Sequence, residues 1–337
     1  MYKKTIILLI SLTFLVLCIG TSIGSSGTSV LNIISIIGYK SLGIPLSKDI
    51  NATDIAIIWN LRLPRVLLAF IVGGSLSVSG AVVQSVLRNP LASPYTLGVS
   101  SGASLGVGLL IISSFSIPIL GKLTMPLVGF LCGLLTVLII IKFASSVDKY
   151  MSTSTIILSG MVFSLFCNAI LTTITALFSE DIKSIVLWQM GSFSMKGWSY
   201  VQIGLPFFIL GITGIMYYCT EMDILSFGEN QAKSVGVNTT TIKKHLLICS
   251  AILTGSAVAL SGTIGFVDLI IPHLVRRIIG AKHRYVIPIS IILGGSFMVI
   301  ADLVARTIIV PSELPVGAIT ALIGAPFFAY IYFKKSK

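Results

Sequence analysis

The chain has 337 residues, 55% of them hydrophobic and only 10% charged, with a mean hydropathy of +1.02 and a net charge of +12. A water-soluble domain carries about 25% charged residues, so this composition excludes one, and the basic excess suits span ends and anionic lipid rather than nucleic acid. At about 20 apolar residues per crossing, the length holds roughly nine to eleven spans of an all-α polytopic membrane protein.

Lys3 and Lys4 followed by the apolar run 6–19 have the outline of a signal peptide. The residues before Cys18 are too bulky for cleavage and further spans follow, so this reads as an uncleaved first span over about 5–24, with Gly20 and Gly24 in G-x-x-x-G spacing. Residues 25–60 read as a polar outer segment. A second span runs over about 63–87 and a third over about 95–112, where Gly98, Gly102 and Gly106 share one face. The fourth, about 125–143, carries Gly129 and Gly133; the fifth covers about 155–178. Trp188 and Trp198 suit interface anchors before a sixth span at about 200–220.

The longest polar run follows, SFGENQAKSVGVNTTTIKKH from Ser226 to His245. Ser226 and Glu229 have capping-box spacing, which predicts a helix from Phe227. Gly236 suits a left-handed C-cap and Asn238 a second N-cap. Two short capped helices outside the bilayer suit a partner; an ordinary long loop is the alternative. A seventh span covers about 246–266. The segment 268–280 is apolar, too short to cross alone and interrupted by Pro272, as in segments that line transport cavities. Spans at about 285–308 and 315–333 complete the set. Gly74–Ser75 to Ser79–Gly80 is weakly echoed by Gly255–Ser256 to Ser261–Gly262.

With the N-terminus inside, fifteen of the 23 Lys and Arg fall on the inner side and eight on the outer. The positive-inside rule therefore puts both termini and the 226–245 platform in the cytoplasm. Cys18, Cys132, Cys167, Cys219 and Cys249 form no C-x-x-C pair, so neither a disulfide framework nor a zinc site is suggested. No phosphate-binding G-x-x-x-x-G-K-[ST] loop is present; Gly121–Lys122 lacks the rest of it. Only Asp268 and Asp302 fall deep enough for a proton relay. Asp268 reads as an N-cap, and Asp302 as one half of an i,i+4 pair with Arg306. Energy should then come from another polypeptide. His273 reads as a structural histidine. Arg62 and Arg65 bracket Pro64 at a helix start, where positive charge opposes the dipole. They suit either a binding role or snorkelling to lipid phosphates.

The runs RLPR (62–65), GAVVQ (80–84), RNPLA (88–92) and LGVSSG (97–102) resemble the first signature of the FecCD-type permeases. These are membrane subunits of ABC importers for iron–siderophore complexes, haem and vitamin B12. GFV (265–267), IPH (271–273), Arg276, HR (283–284), AD (301–302), AR (305–306), ELPVG (313–317) and ALIGAP (321–326) resemble its second half. Asp268 departs from the pattern, where the family more often has glycine. The resemblance implies ten spans in one permease domain over 1–337, a second permease subunit, identical or paralogous, and two cytoplasmic ATPase subunits. It implies a chain that is not itself an enzyme and binds no cofactor, with ATP and Mg used by the ATPase. It implies that Gly228, Glu229, Ala232 and Gly236 belong to coupling helices on the ATPase, and that Ser152, Thr153 and Ser154 match a cytoplasmic gate loop. Arg62, Arg65 and Arg306 match outer arginines that pair with carboxylates on a two-lobed extracytoplasmic substrate-binding protein. The function implied is import of an iron–siderophore complex, with vitamin B12 or haem as alternatives. An ion-coupled secondary carrier is the alternative outside this class.

Overall fold

The computed structural model describes residues 2–23, 29–46 and 50–334, and among these the chain is all-helical. Gly24, named above, and Lys48, Lys335 and Lys337, which enter the charge count, lie outside the described residues. The α-helices in order are α1 (Tyr2–Ser22), α2 (Val30–Leu42), α3 (Ala52–Ala56), α4 (Leu63–Val86), α5 (Val99–Ser113), α6 (Thr124–Val147), α7 (Thr153–Leu177) and α8 (Ile182–Gln189). They continue as α9 (Trp198–Tyr217), α10 (Cys219–Ser226), α11 (Glu229–Ser234), α12 (Thr239–Ser261), α13 (Val267–Ile279), α14 (His283–Thr307) and α15 (Val316–Lys334). Among the described residues six stretches are long and apolar enough to cross a membrane: Ala52–Val86, Gly121–Val147, Thr153–Leu177, Trp198–Tyr217, Thr239–Ser261 and His283–Thr307. α13, at 13 residues, spans only about 20 Å and cannot cross a core of about 30 Å by itself.

α4 is the centre of the molecule. It is buried on nearly every side and packs against α14, α12, α13 and α9. Small side chains make this approach possible: Gly73 faces the backbone of Gly294, and Gly80 that of Asp268, with no room for a Cβ at either. The two echoed segments lie on α4 and α12, which pack together; Ser79 bonds Ser250 at 3.1 Å and also Thr254. By contrast α7 and α9 turn most of their surface outward.

Gly102 and Gly106 meet Thr136 and Cys132 of α6, and Gly129 and Gly133 meet Val107 and Val99 of α5, so the glycine faces interlock as their spacing predicts. Gly98 meets Thr136 and Ile140 of the same helix α6, but from the residue that precedes α5 rather than from within it. At φ +72° it closes a 3-10 turn over Pro94–Leu97 and delays α5 to Val99. The 25–60 segment is also more than a polar connection. Ile33 and Ile36 of α2 pack with Ile50 and Ile58 in a separate apolar cluster, and a π-helical stretch, Ile57–Arg62, carries α3 without a break into α4. Trp198 is also a tie within the fold: its Nε1 donates to the Trp59 carbonyl at 2.7 Å. α1 is built into the fold through Thr13, 2.9 Å from Ser296 of α14.

Candidate functional site

Two charged regions stand at opposite ends of α4. The arginine end gathers Arg62, Arg65 and Arg306 as the sequence predicts, but it buries them and gives them internal partners. Arg62 is 6% exposed and donates to the carbonyls of Thr21 and Ser22 at 3.4 and 2.9 Å. Arg65 holds Asp302 through Nε and Nη2 at 2.8–3.1 Å, and Glu313 through both Nη atoms at 2.9 and 3.1 Å. Arg306 donates to the Gly20 carbonyl, and its Nε lies 3.9 Å from Asp302. The i,i+4 pair expected for Asp302 is therefore its minor contact; a residue 237 positions away is its main one. Arg65 holds the Glu313 carboxyl below the usual carboxylate range, partly offset by burial.

The platform end contains the other predicted residues. Ser226 does not cap a helix start. It closes α10, its hydroxyl donating to the Asp223 carbonyl, and the corner at Gly228, φ +128°, precedes a new helix that begins at Glu229. The capping box fails because Glu229 has a stronger partner, the Lys243 ammonium. Gly236 (φ +85°) closes α11 and Asn238 caps α12 through the Thr241 N–H at 3.2 Å, both as expected. Ala232 is buried beneath α11.

Lys243 is the residue sequence reasoning missed. It is 1% exposed, pairs with Glu229, and donates to the Met151 carbonyl at 3.0 Å. One ammonium thereby joins α11, α12 and the loop before α7. That loop is the predicted gate: Ser152 stands at the N-cap position of α7 without a side-chain cap bond, Thr153 opens the helix and Ser154 is exposed. Asp148 shapes the loop by accepting the N–H groups of Ser152 and Tyr150 at 2.8 and 2.9 Å, which holds its carboxyl down to about 2. Glu229 and Met151, far apart in sequence, are thus linked through one side chain. A signal was present: Lys243 falls on the α12 stripe of Thr239, Leu246, Leu247 and Ser250, where a lysine is out of place unless paired.

Asp268 is not an N-cap. Phe266 takes that position, while Asp268 is buried as the second residue of α13 and accepts the Ser93 hydroxyl. Gln84 donates to its carbonyl at 3.2 Å. Ser93 is thus the local compensation for a carboxylate at this position.

The arrangement is that of a helix bundle with charged groups gathered at both ends of α4, and comparison with known proteins places its family. A family model described as the FecCD transport family matches residues 11–334. This chain belongs to the FecCD transport family. An uncharacterized ABC transporter permease protein of Bacillus subtilis, YvrB, is 42% identical over 331 residues, covering 98% of this chain and 94% of the relative. The hemin transport system permease protein HmuU of Yersinia pestis is 40% identical over 284 residues, 82% of this chain and 84% of HmuU. A solved inward-facing conformation of a transporter assigned to the metal-chelate ABC type superposes with a TM-score of 0.83 at 31% identity, covering 99% of this chain and all of the other. As a FecCD member the chain is an ABC importer permease and a multi-pass protein of the cell membrane.

Proposed function

We propose that this FecCD permease imports an iron(III) chelate, with a second permease subunit completing the pore and two ATPase subunits seated on the platforms. The single observation that carries the coupling part is the Lys243 bridge, because it ties α11 to the loop before α7. A displacement of α11 by an ATPase would reach that loop through one buried side chain. In this reading Gly228, Glu229, Ala232 and Gly236 form the ATPase seat, and Ser152, Thr153 and Ser154 the gate. The seat occupies 226–245 of a single permease domain over 1–337. The chain binds no cofactor; ATP and Mg act in the partner.

The Lys and Arg distribution supports ten crossings with both termini cytoplasmic, the platform end inside and the arginine end outside. α5 and α13 count as short crossings completed by the turns before them. At the outer end a two-lobed binding protein docks near Arg62, Arg65 and Arg306. It reaches these charges only in competition with Asp302, Glu313 and the backbone carbonyls they already hold, so the contact is weak and sensitive to salt.

The iron chelate as cargo is supported by relatives named for Fe(3+) dicitrate transport in Escherichia coli, 38% identical, and Fe(3+)-citrate import in Bacillus subtilis, 35% identical. Haem is the second reading, favoured by the 40% identity to HmuU. Uptake of labelled ferric siderophore, ferric citrate and haem by proteoliposomes holding the permease, its ATPase and its binding protein tests both. ATP-dependent, vanadate-sensitive accumulation of a ferric chelate is the expected result. Uptake that follows a proton gradient without ATP would instead establish a secondary carrier.

A further inference from the structure

Beside the α10–α11 corner the protein opens a cavity of about 340 Å³, lined by Gln84, Arg88, Asn89, Ser226, Arg276 and His283 among others, with no carboxylate in its wall among the described residues. Arg276 spends its hydrogens on neutral acceptors, Gln84 Oε1 at 2.5 Å and the Ala81 carbonyl at 3.0 Å. Arg88 is exposed at φ +49°, a left-handed conformation that is unfavourable for a residue with a side chain. Its Nη1 lies 3.8 Å from where a Cβ on Gly228 would sit, so the guanidinium reaches over the platform corner. His283 is bound to Asp223 through Nδ1 at 2.6 Å and through its main-chain N–H at 2.9 Å, which leaves its buried Nε2 without a partner. Among the described residues no carboxylate forms an ion pair with Arg88 or Arg276. The flanking Arg277, Lys282 and Arg284 are exposed and add to the same positive field.

The cavity is continuous with the platform. Ser226 lines it, the next residue, Phe227, is 75% exposed, and Val235 at the far end of α11 is 70% exposed. Large apolar side chains presented on a polar platform suit a protein partner. A protein seated on Phe227 covers the mouth beside it. Covering two guanidiniums without supplying an acid leaves buried charge uncompensated, which is strongly unfavourable. Bidentate pairing of arginine with a carboxylate removes that cost.

We propose that this cavity receives an acidic side chain of the ATPase subunit, which pairs with Arg88 and Arg276 and locks the ATPase in register on the platform. The proposal rests on the platform being the ATPase seat. The test is the affinity of the cognate ATPase for the full-length permease in nanodiscs, across a salt series, in phosphatidylcholine and again in phosphatidylglycerol. Arg88→Glu, an exposed change, should weaken binding at least about tenfold at low salt, with the gap narrowing as salt rises, equally in both lipids. Arg276→Glu should do the same or more, and Lys122→Glu, on the exposed turn before α6, should leave affinity unchanged. Wild-type affinity in both Arg88→Glu and Arg276→Glu, while Val235→Asp still abolishes binding, would overturn the cavity proposal and leave the platform seat standing. A defect confined to phosphatidylglycerol would assign the cavity to a lipid phosphate and overturn it too. If Val235→Asp and Phe227→Asp also bind normally, the platform seat itself fails.

Discussion

The two ends of the molecule use arginine and lysine in opposite ways. At the arginine end Arg65 lies between two carboxylates, and Arg62 and Arg306 reach across to α1. Positive charge there is internal structure, joining α1, α4, α14 and the segment before α15. At the platform end most charges are exposed, one buried lysine pairs with a partly exposed glutamate, and two guanidiniums face a cavity with no acid among its described lining. Counting charges cannot separate the two uses. A basic residue is available to a partner only when the fold has not already given it one.

The comparison breaks most sharply at Arg65. Arg65→Met leaves Asp302, which is 1% exposed, with only the long contact to Arg306 at 3.9 Å, and should cost up to about 3–5 kcal/mol in thermal or denaturant unfolding of the purified protein. Asp302→Asn in the same chain should recover much of the loss. If Arg65→Met instead keeps full stability and loses only binding-protein affinity, the arginine end is a docking face first and a brace second.

Lys243→Met comes next. Glu229 is only partly buried, so the cost should fall to about 2–3 kcal/mol. Its more specific effect is on coupling: the ATPase should still bind and hydrolyse ATP while cargo uptake falls, because α11 no longer pulls on Met151. Uptake and hydrolysis measured on one proteoliposome preparation check this, and an unchanged ratio removes the bridge from the mechanism. Asn238→Ala should be milder, about 1 kcal/mol, from the loss of the α12 cap alone.

Much of this fold was legible because its signals are local. Hydropathy gave the six long apolar stretches, G-x-x-x-G spacing the α5–α6 contact, and Gly236 and Asn238 the platform caps. The helix α2 was hidden because its two buried isoleucines need Ile50 and Ile58 to make a core. The partners of Asp302, Glu229 and Asp268 were hidden for the same kind of reason. Each local rule offered a neighbour in sequence, Arg306, Ser226 or the helix end, while the fold supplied Arg65, Lys243 and Ser93 from other elements. The sequence brought Arg62, Arg65 and Arg306 together, but not the internal partners that already hold them.

Acid should produce the smallest effect, and it sharpens the contrast. Glu313 and Asp148 both have carboxyls held below their unfolded values, so each contributes stability above the ordinary carboxylate pKa of about 4. That contribution is lost as pH falls through the folded value, which for Asp148 is about 2. Glu313→Gln should flatten the acid limb of the stability profile slightly, and Asp148→Asn should flatten it only near its foot. A profile unchanged by both would mean that neither carboxylate is held as described.

The most direct test of the central claim is hydrogen–deuterium exchange of the full-length permease in nanodiscs, with and without its ATPase. If the platform end is the partner-facing, jointed end and the arginine end an internal brace, the ATPase should protect amides in 219–245 and, through Lys243, in 148–152. Exchange in 57–65 and 302–313 should be unchanged. Protection at 57–65 and 302–313, with none at 219–245, would contradict the account.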